Sequence, residues 1–315
     1  MAEDLTHRSG LSVDDYKALT GFDGDWRDTW WDDDFLAMMG RKWRLHEVRT
    51  ALDVGAGVGH WGQRLLRHMD EAATLSGIDA EPTWVSAAQD RARSKGLEAR
   101  TQYRVADAQV LPWEDDHFDL VTCQTLLMHV GDPAAVVREM VRVLRPGGLF
   151  VAAEPNNFGT SAGQLTGMPR MSWEDVSPLL ELEYVCALGK EALGEGWFSV
   201  GEHLPATLVA CGWSDVQVHQ NSQSARKIPP YTDPTASTAI QIMREAHAAG
   251  TVAAVGGTPE NVRRYFVAGG GDPSRLDSLW DHMRQHEARC LAAIDAGTFV
   301  SAGGHIHALV WGHKP

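Results

Sequence analysis

The sequence predicts an α/β protein: a doubly wound, mainly parallel seven-stranded sheet with helices on both faces, plus N-terminal helices and a helical insert forming a lid. Three observations lead there. Between residues 50 and 154 short apolar runs alternate with segments of helical period, the pattern of strands joined by crossover helices. A glycine-rich turn, GAGVG at 55–59, directly follows the first run. Beyond residue 154 the alternation stops, and a long helical stretch separates two more strand-like runs.

The five runs are TALDV (50–54), TLSGID (74–79), TQYRVAD (101–107), FDLVTCQT (118–125) and GLFVAAEP (148–155). Helices fall between them at 58–69, 82–95 and 132–148. Pro82 and Pro133 suit helix starts, where a missing N–H leaves no bond unmade; Asp132 is placed to cap, and Gly147-Gly148 close the third helix. Ahead of residue 50, Ser12-x-x-Asp15 reads as a capping box opening one helix, and 32–46 is a second. Residues 155–170, rich in Gly, Asn and Pro, read as a loop. Helices at 173–193 and 201–213 and a strand at 215–221 come next, and a largely helical block, 233–296, follows Pro229-Pro230. The stretch 298–314 closes the chain as a strand with a bulge at Gly303-Gly304. These boundaries predict an N-terminal cap at 1–47 and a core at 48–222 that includes a lid segment, 156–200. A helical insert at 223–297 and the last core strand at 298–315 complete the chain. The cap and insert are expected to cover the open edge of the sheet.

Composition narrows the function. The 315 residues carry a formal charge of −14 and show no basic face, so neither a nucleic acid nor an anionic membrane is the expected partner. No run approaches the roughly 18 apolar residues of a membrane span, and the polar, acidic start does not read as a signal peptide; the expected location is cytoplasmic. The four cysteines are far apart and form no Cys-x-x-Cys pair. His305 and His307 share a strand face, but without a third donor nearby no metal site is expected.

Four glycines in ALDVGAGVGHWG (51–62) mean that main chain must approach a ligand closely. A nucleoside-triphosphate loop would need Lys-Ser or Lys-Thr after them, whereas His60-Trp61 stand there. A dinucleotide fingerprint would place its third glycine at 60, which weakens that reading without eliminating it. From this turn onward the motifs fall in an order that resembles the class I S-adenosylmethionine-dependent methyltransferases over roughly residues 48–222. LDVGAGVG (52–59) is similar to that family's first motif. The resemblance implies that Gly55, Gly57 and Gly59 let the backbone pass under the methionine part while Asp53 helps hold its cationic end. Asp79 would then accept from the ribose hydroxyls. Asp107 would meet the adenine amino group, Ala108 would offer its N–H, and Gln124 would line the methionine part. EMVRVLRPGGLFVAAEP (139–155) matches the family's helix, turn and fifth strand. S-adenosylmethionine is the implied cofactor, and every one of these residues falls beyond a strand's carboxyl end, where open α/β sheets bind ligands.

The acceptor side carries less information. His129, after the fourth strand, is a candidate general base, and Glu154, ending the fifth, is a second catalytic candidate that could equally cap a helix. Trp31, Trp173 and Trp197 fall in lid segments, and with His203 they could wall a pocket for a planar or apolar molecule, or simply glue helices to the sheet. Together they predict methyl transfer to a small apolar or aromatic, natural-product-like molecule of secondary metabolism at oxygen, nitrogen or carbon. Carbon methylation of an indole or prenyl substrate, with or without cyclisation, is one alternative; a protein that binds S-adenosylmethionine without transferring its methyl group is another. The insert could pack against a second copy in a homodimer as readily as it covers its own pocket.

Overall fold

The computed structural model describes residues 25–165, 171–221, 226–252, 257–303 and 306–315. The expected capping box at Ser12, and Gly304 and His305, lie outside the described residues. Seven strands of the described residues form one sheet: β1 (Thr50–Val54), β2 (Thr74–Asp79), β3 (Thr101–Val105), β4 (Phe118–Gln124), β5 (Leu144–Pro155), β6 (Gln217–Gln220) and β7 (His307–His313). Their order is β3-β2-β1-β4-β5-β7-β6. The first five pair in parallel, and β7 runs antiparallel to both β5 and β6. The reversal of strand order between β1 and β4 opens a crevice at their carboxyl ends, the ligand position of such sheets.

Among the described residues ten α-helices accompany the strands: α1 (Asp33–Lys42), α2 (His60–Leu66), α3 (Pro82–Ser94), α4 (Pro133–Val143), α5 (Asn157–Leu165), α6 (Trp173–Ala192), α7 (Leu204–Ala210), α8 (Pro234–Ala248), α9 (Pro259–Ala268) and α10 (Leu276–Asp295). Their starts repeat one local device. Asp132, Asp233 and Thr258 each stand before a proline and accept the backbone N–H three residues on, at Ala135, Ala236 and Asn261.

Both faces of the sheet are buried, so alternate residues of one strand enter different cores. Val121, Phe150, Ala152 and Val310 pack under α4 and α7 with Val136, Met140 and Leu208. Leu120, Leu149, Val151 and Leu309 pack on the other side with Leu65 and Leu66 of α2 and Leu36, Met39 and Trp43 from the α1 region. A separate core joins α6, α9 and α10 through Leu179, Leu182, Phe266 and Met283. There Gly189 is required, because a Cβ would strike the Tyr265 carbonyl.

Four expectations need correction. Residues 155–170 are not all loop: α5 forms there because the Asn156 side chain accepts the Gly159 N–H and its carbonyl takes that of Thr160. The third crossover helix ends at Val143 rather than at the glycines, since Leu144 already pairs with Phe118 in the sheet. The 201–213 helix is a 3-10 turn, Val200–His203, followed by α7. The N-terminal segment does not simply cap an edge. α1 lies across one face, and its last residue, Lys42, reaches edge strand β6 at His219.

Candidate functional site

An open cleft of about 290 Å³ lies beyond the carboxyl ends of β1 and β4, lined by Arg27, Asp53, Gly55, His60, Trp61 and Gln124 among others. Its floor is the turn after β1. Gly55, Gly57 and Gly59 all have positive φ, at 67°, 53° and 83°, which side-chain-bearing residues rarely adopt. At Gly55 a Cβ would also stand 2.5 Å from Leu126, so the turn after β4 presses directly on the glycine turn.

Asp53 is 1 % exposed; its Oδ2 accepts the Gly62 N–H at 3.0 Å, and its Oδ1 has no partner among the described residues. Burial pushes its pKa up to about 7. A Cβ at position 62 would sit 2.6 Å from Oδ2, so the glycine there is what lets α2 approach the carboxylate. Asp79, ending β2, accepts the Gly57 N–H at 2.9 Å and the Glu81 N–H at 3.0 Å, which ties the glycine turn to the second strand. Burial raises Asp79 to about 6 against those two bonds. Asp107 accepts the Gln109 N–H at 2.8 Å, closing a tight turn after β3 in which Ala108 is half-buried. All of the residues expected to touch the cofactor thus stand at one end of the sheet.

The residues expected on the acceptor side do not gather in the same way. His129 ends a 3-10 turn, Leu127–His129, that follows β4; it is half-buried against Gly196 and does not line the cleft. Glu154 does not stand at the rim. It is fully buried, and its Oε1 accepts the N–H groups of Leu126 and Leu127 at 2.9 and 3.1 Å and the Cys123 thiol at 3.5 Å. It therefore braces the turn that carries His129 and touches no cleft. From the opposite side buried Lys190 of α6 donates to the Met128 carbonyl at 3.1 Å, and burial lowers its pKa to about 8.

Of the tryptophans, Trp31 is core, 3 % exposed between Trp61 (5.0 Å between ring centroids) and His307 (6.0 Å). Trp173 is 69 % exposed at the start of α6 and walls nothing. Trp197 packs on the α4–α7 core and meets the exposed His203 edge-on at 5.2 Å, on the protein surface. Among the described residues no cluster of three or more metal-ligating side chains occurs, and no helix is long and apolar enough to cross a membrane.

Sequence reasoning missed a segment that the structure brings to the cleft: the 3-10 turn Asp25–Trp30. Asp28 accepts from His60 Nδ1 at 2.8 Å and Lys95 Nζ at 2.9 Å and pairs with Arg91, while Arg64 donates to its carbonyl. Burial alone would raise Asp28, but the bonds from His60 and Lys95 and the charge of Arg91 outweigh it and hold the carboxyl well below its ordinary range. The one signal in the sequence was the charged, aromatic cluster DWRDTW (25–30) ahead of the first strand.

Residues 45–190 match the profile of a methyltransferase domain family. Methyltransferase GfsG of Streptomyces halstedii is 43 % identical over 103 residues, 33 % of this chain and 36 % of that protein. An uncharacterized methyltransferase of Bacillus subtilis, YcgJ, is 35 % identical over 119 residues, 38 % and 46 % of the two chains. The ubiquinone/menaquinone biosynthesis C-methyltransferase UbiE of Vibrio vulnificus is 32 % identical over 106 residues, 34 % and 41 %. The crystal structure of YcgJ superposes with a TM-score of 0.48 at 18 % identity, covering 90 % of this chain and 99 % of that one. Each sequence match spans less than half of the relative's own length. Residues 45–190 are thus similar to a methyltransferase domain.

Proposed function

We propose that the chain transfers a methyl group from S-adenosylmethionine to a small molecule. The observation that carries this reading is the cleft itself: a bare glycine turn, a buried carboxyl oxygen at Asp53 without a partner among the described residues, and the Asp79 carboxylate fastening the turn to β2. These features fit the cofactor. A sulfonium nucleoside has no phosphate to cradle, and unpartnered acceptors beside the glycines suit a ligand end rich in donors. Asp53, Gly55, Gly57, Gly59 and Gln124 would hold the methionine part, Asp79 the ribose, and Asp107 with Ala108 the adenine. When bound, the cofactor supplies an electrophilic methyl carbon; the protein's task is to hold the acceptor in line, exclude water and manage one proton.

His129 is the proposed proton acceptor, on a turn clamped by Glu154 beneath and Lys190 above. Its rigidity, not a contact with the glycine cleft, supports that role. The acceptor proposed is apolar or aromatic. Support comes from Trp30 beside His307, 5.1 Å between centroids, where β7 meets the end of β5. GfsG and UbiE carry methyltransferase names, and UbiE is named for carbon methylation, so a carbon acceptor stands beside oxygen and nitrogen.

Incubation with trideuteromethyl S-adenosylmethionine and a panel of phenols, amines, indoles and prenyl diphosphates, read by mass spectrometry, tests the proposal. A product heavier by the labelled methyl supports it, and the label's position fixes the acceptor atom. Cofactor bound with no label transferred to any member would favour a non-methylating binding protein. His129→Ala should slow transfer by about a hundred-fold, a general base's usual share, while cofactor affinity stays unchanged.

A further inference from the structure

The N-terminal turn bears on the cleft in a way the family's motifs do not describe. Arg27 is 8 % exposed and lines the cleft beside Asp53; these two are the charged residues among the described ones that do so. Its guanidinium carbon lies 4.3 Å from the centre of the Trp30 ring, which braces the group where it lines the cleft. The turn cannot slide, because Asp28 is bound on both oxygens by α2 and α3 and Arg64 donates to the carbonyls of Asp28 and Trp31.

His60 completes the pattern. It also lines the cleft, is 7 % exposed, and has its Nε2 without a partner among the described residues. Its Nδ1 lies 2.8 Å from a carboxylate held ionised, so the proton sits on Nδ1 and Nε2 presents a lone pair. Burial first, then the charges of Arg91 and Arg27, lower its pKa against the Asp28 bond and keep the ring neutral. The cleft therefore offers two buried acceptors, Asp53 Oδ1 and His60 Nε2, and one cation, Arg27. A group with several N–H donors joined to an anion matches the two acceptors and the cation in charge, and that is the zwitterionic end of an α-amino acid.

We infer that the 25–30 turn is part of the ligand site, with Arg27 receiving the carboxylate of the cofactor's amino-acid end and His60 sharing its ammonium with Asp53. This rests on the cofactor reading above. Asp28 acts as a positioning residue: it docks the turn and sets the tautomer of His60 at the same time.

Titration calorimetry with S-adenosylmethionine and with 5′-methylthioadenosine, which lacks the amino-acid end, tests this on the full chain. Arg27→Gln and His60→Phe should each weaken S-adenosylmethionine by about ten-fold to a hundred-fold, the worth of one charge-assisted hydrogen bond. Both should bind 5′-methylthioadenosine within about two-fold of the parent protein, which also reports an intact fold. Arg27→Gln leaving S-adenosylmethionine unaffected would overturn the inference while the cofactor reading stood. Equal losses for both ligands would overturn it too, since the turn would then only support the glycine loop. A parent protein that binds neither nucleoside would remove the cofactor reading itself.

Discussion

Asp53 and Glu154 are the same chemistry put to different uses on either side of β4. Each is a carboxyl group almost entirely buried at the end of a strand, on β1 and β5. Each gives one oxygen to backbone N–H groups and leaves the other without a partner among the described residues, and burial lifts each to about 7. The thiol of Cys123 between them feels both and is pushed well above its ordinary value by burial and by these two groups. Yet Asp53 opens on the cleft and Glu154 does not. A raised pKa marks a place where the fold has spent stability, and only the neighbours say whether a ligand collects it. Asp53 faces a glycine turn and the cleft that Arg27 also lines; Glu154 faces the N–H groups of Leu126 and Leu127.

The largest test of that contrast is stability. Glu154→Ala leaves two buried N–H groups and a cavity, and should cost about 2–5 kcal/mol in urea unfolding. Asp53→Ala frees only the Gly62 N–H and should cost about 1–3 kcal/mol. A Glu154→Ala protein as stable as the parent would mean that the turn carrying His129 is held by something else, and the comparison would fail.

The two carboxyls also explain what could be read from the sequence and what could not. The positions of the glycine turn, Asp79, Asp107 and Gln124 were legible because each ends its strand or begins within two residues of it, so local order fixes them at the sheet's end. Glu154 stands at the same kind of place, but its side chain turns inward, and no one-dimensional pattern records that direction. The alternating runs gave the strands and their crossovers, with one helix boundary displaced because Leu144 pairs early. α5 escaped because its start depends on the Asn156 side chain, amid glycines and asparagines that otherwise read as loop. The Asp28 dock was illegible, since its partners at 60, 64, 91 and 95 meet it only after α2 and α3 have packed.

Acidity tests the bracing member of the pair next. A carboxyl whose pKa is raised on folding keeps its proton in the native state after the unfolded chain has lost it, so native stability is fullest at low pH and declines as pH rises. For Glu154 the decline runs from its ordinary 4.5 up to about 7, on the order of 3 kcal/mol, and is flat above. Glu154→Gln should remove that share of the slope in denaturation curves between pH 4.5 and 7. An unchanged slope would mean that Glu154 is ionised in the native protein.

Ligand affinity should divide the two regions by a smaller margin. Asp79→Ala should weaken S-adenosylmethionine by about ten-fold to a hundred-fold in calorimetry, since it removes both the proposed ribose acceptor and the bond to Gly57. Glu154→Gln should bind within about two-fold of the parent, because its carboxyl touches no cleft. A cofactor affinity that ignores Asp79 and follows Glu154 would exchange the roles assigned to the two ends of the sheet.

The smallest effect is expected where the sequence proposed a pocket and the structure shows solvent. Trp173 follows Ser172, the residue whose hydroxyl accepts the Asp175 N–H and so starts α6, but the indole itself is 69 % exposed. Trp173→Ala should therefore change unfolding stability by no more than about 0.5 kcal/mol and leave the acceptor's KM where it was. Trp31→Ala is its counterpart. That ring is buried against Trp61 and His307, so its loss should cost about 3–5 kcal/mol without any direct contact to the cleft. A rise in KM for Trp173→Ala alone would show that α6 moves its exposed end onto the acceptor during turnover.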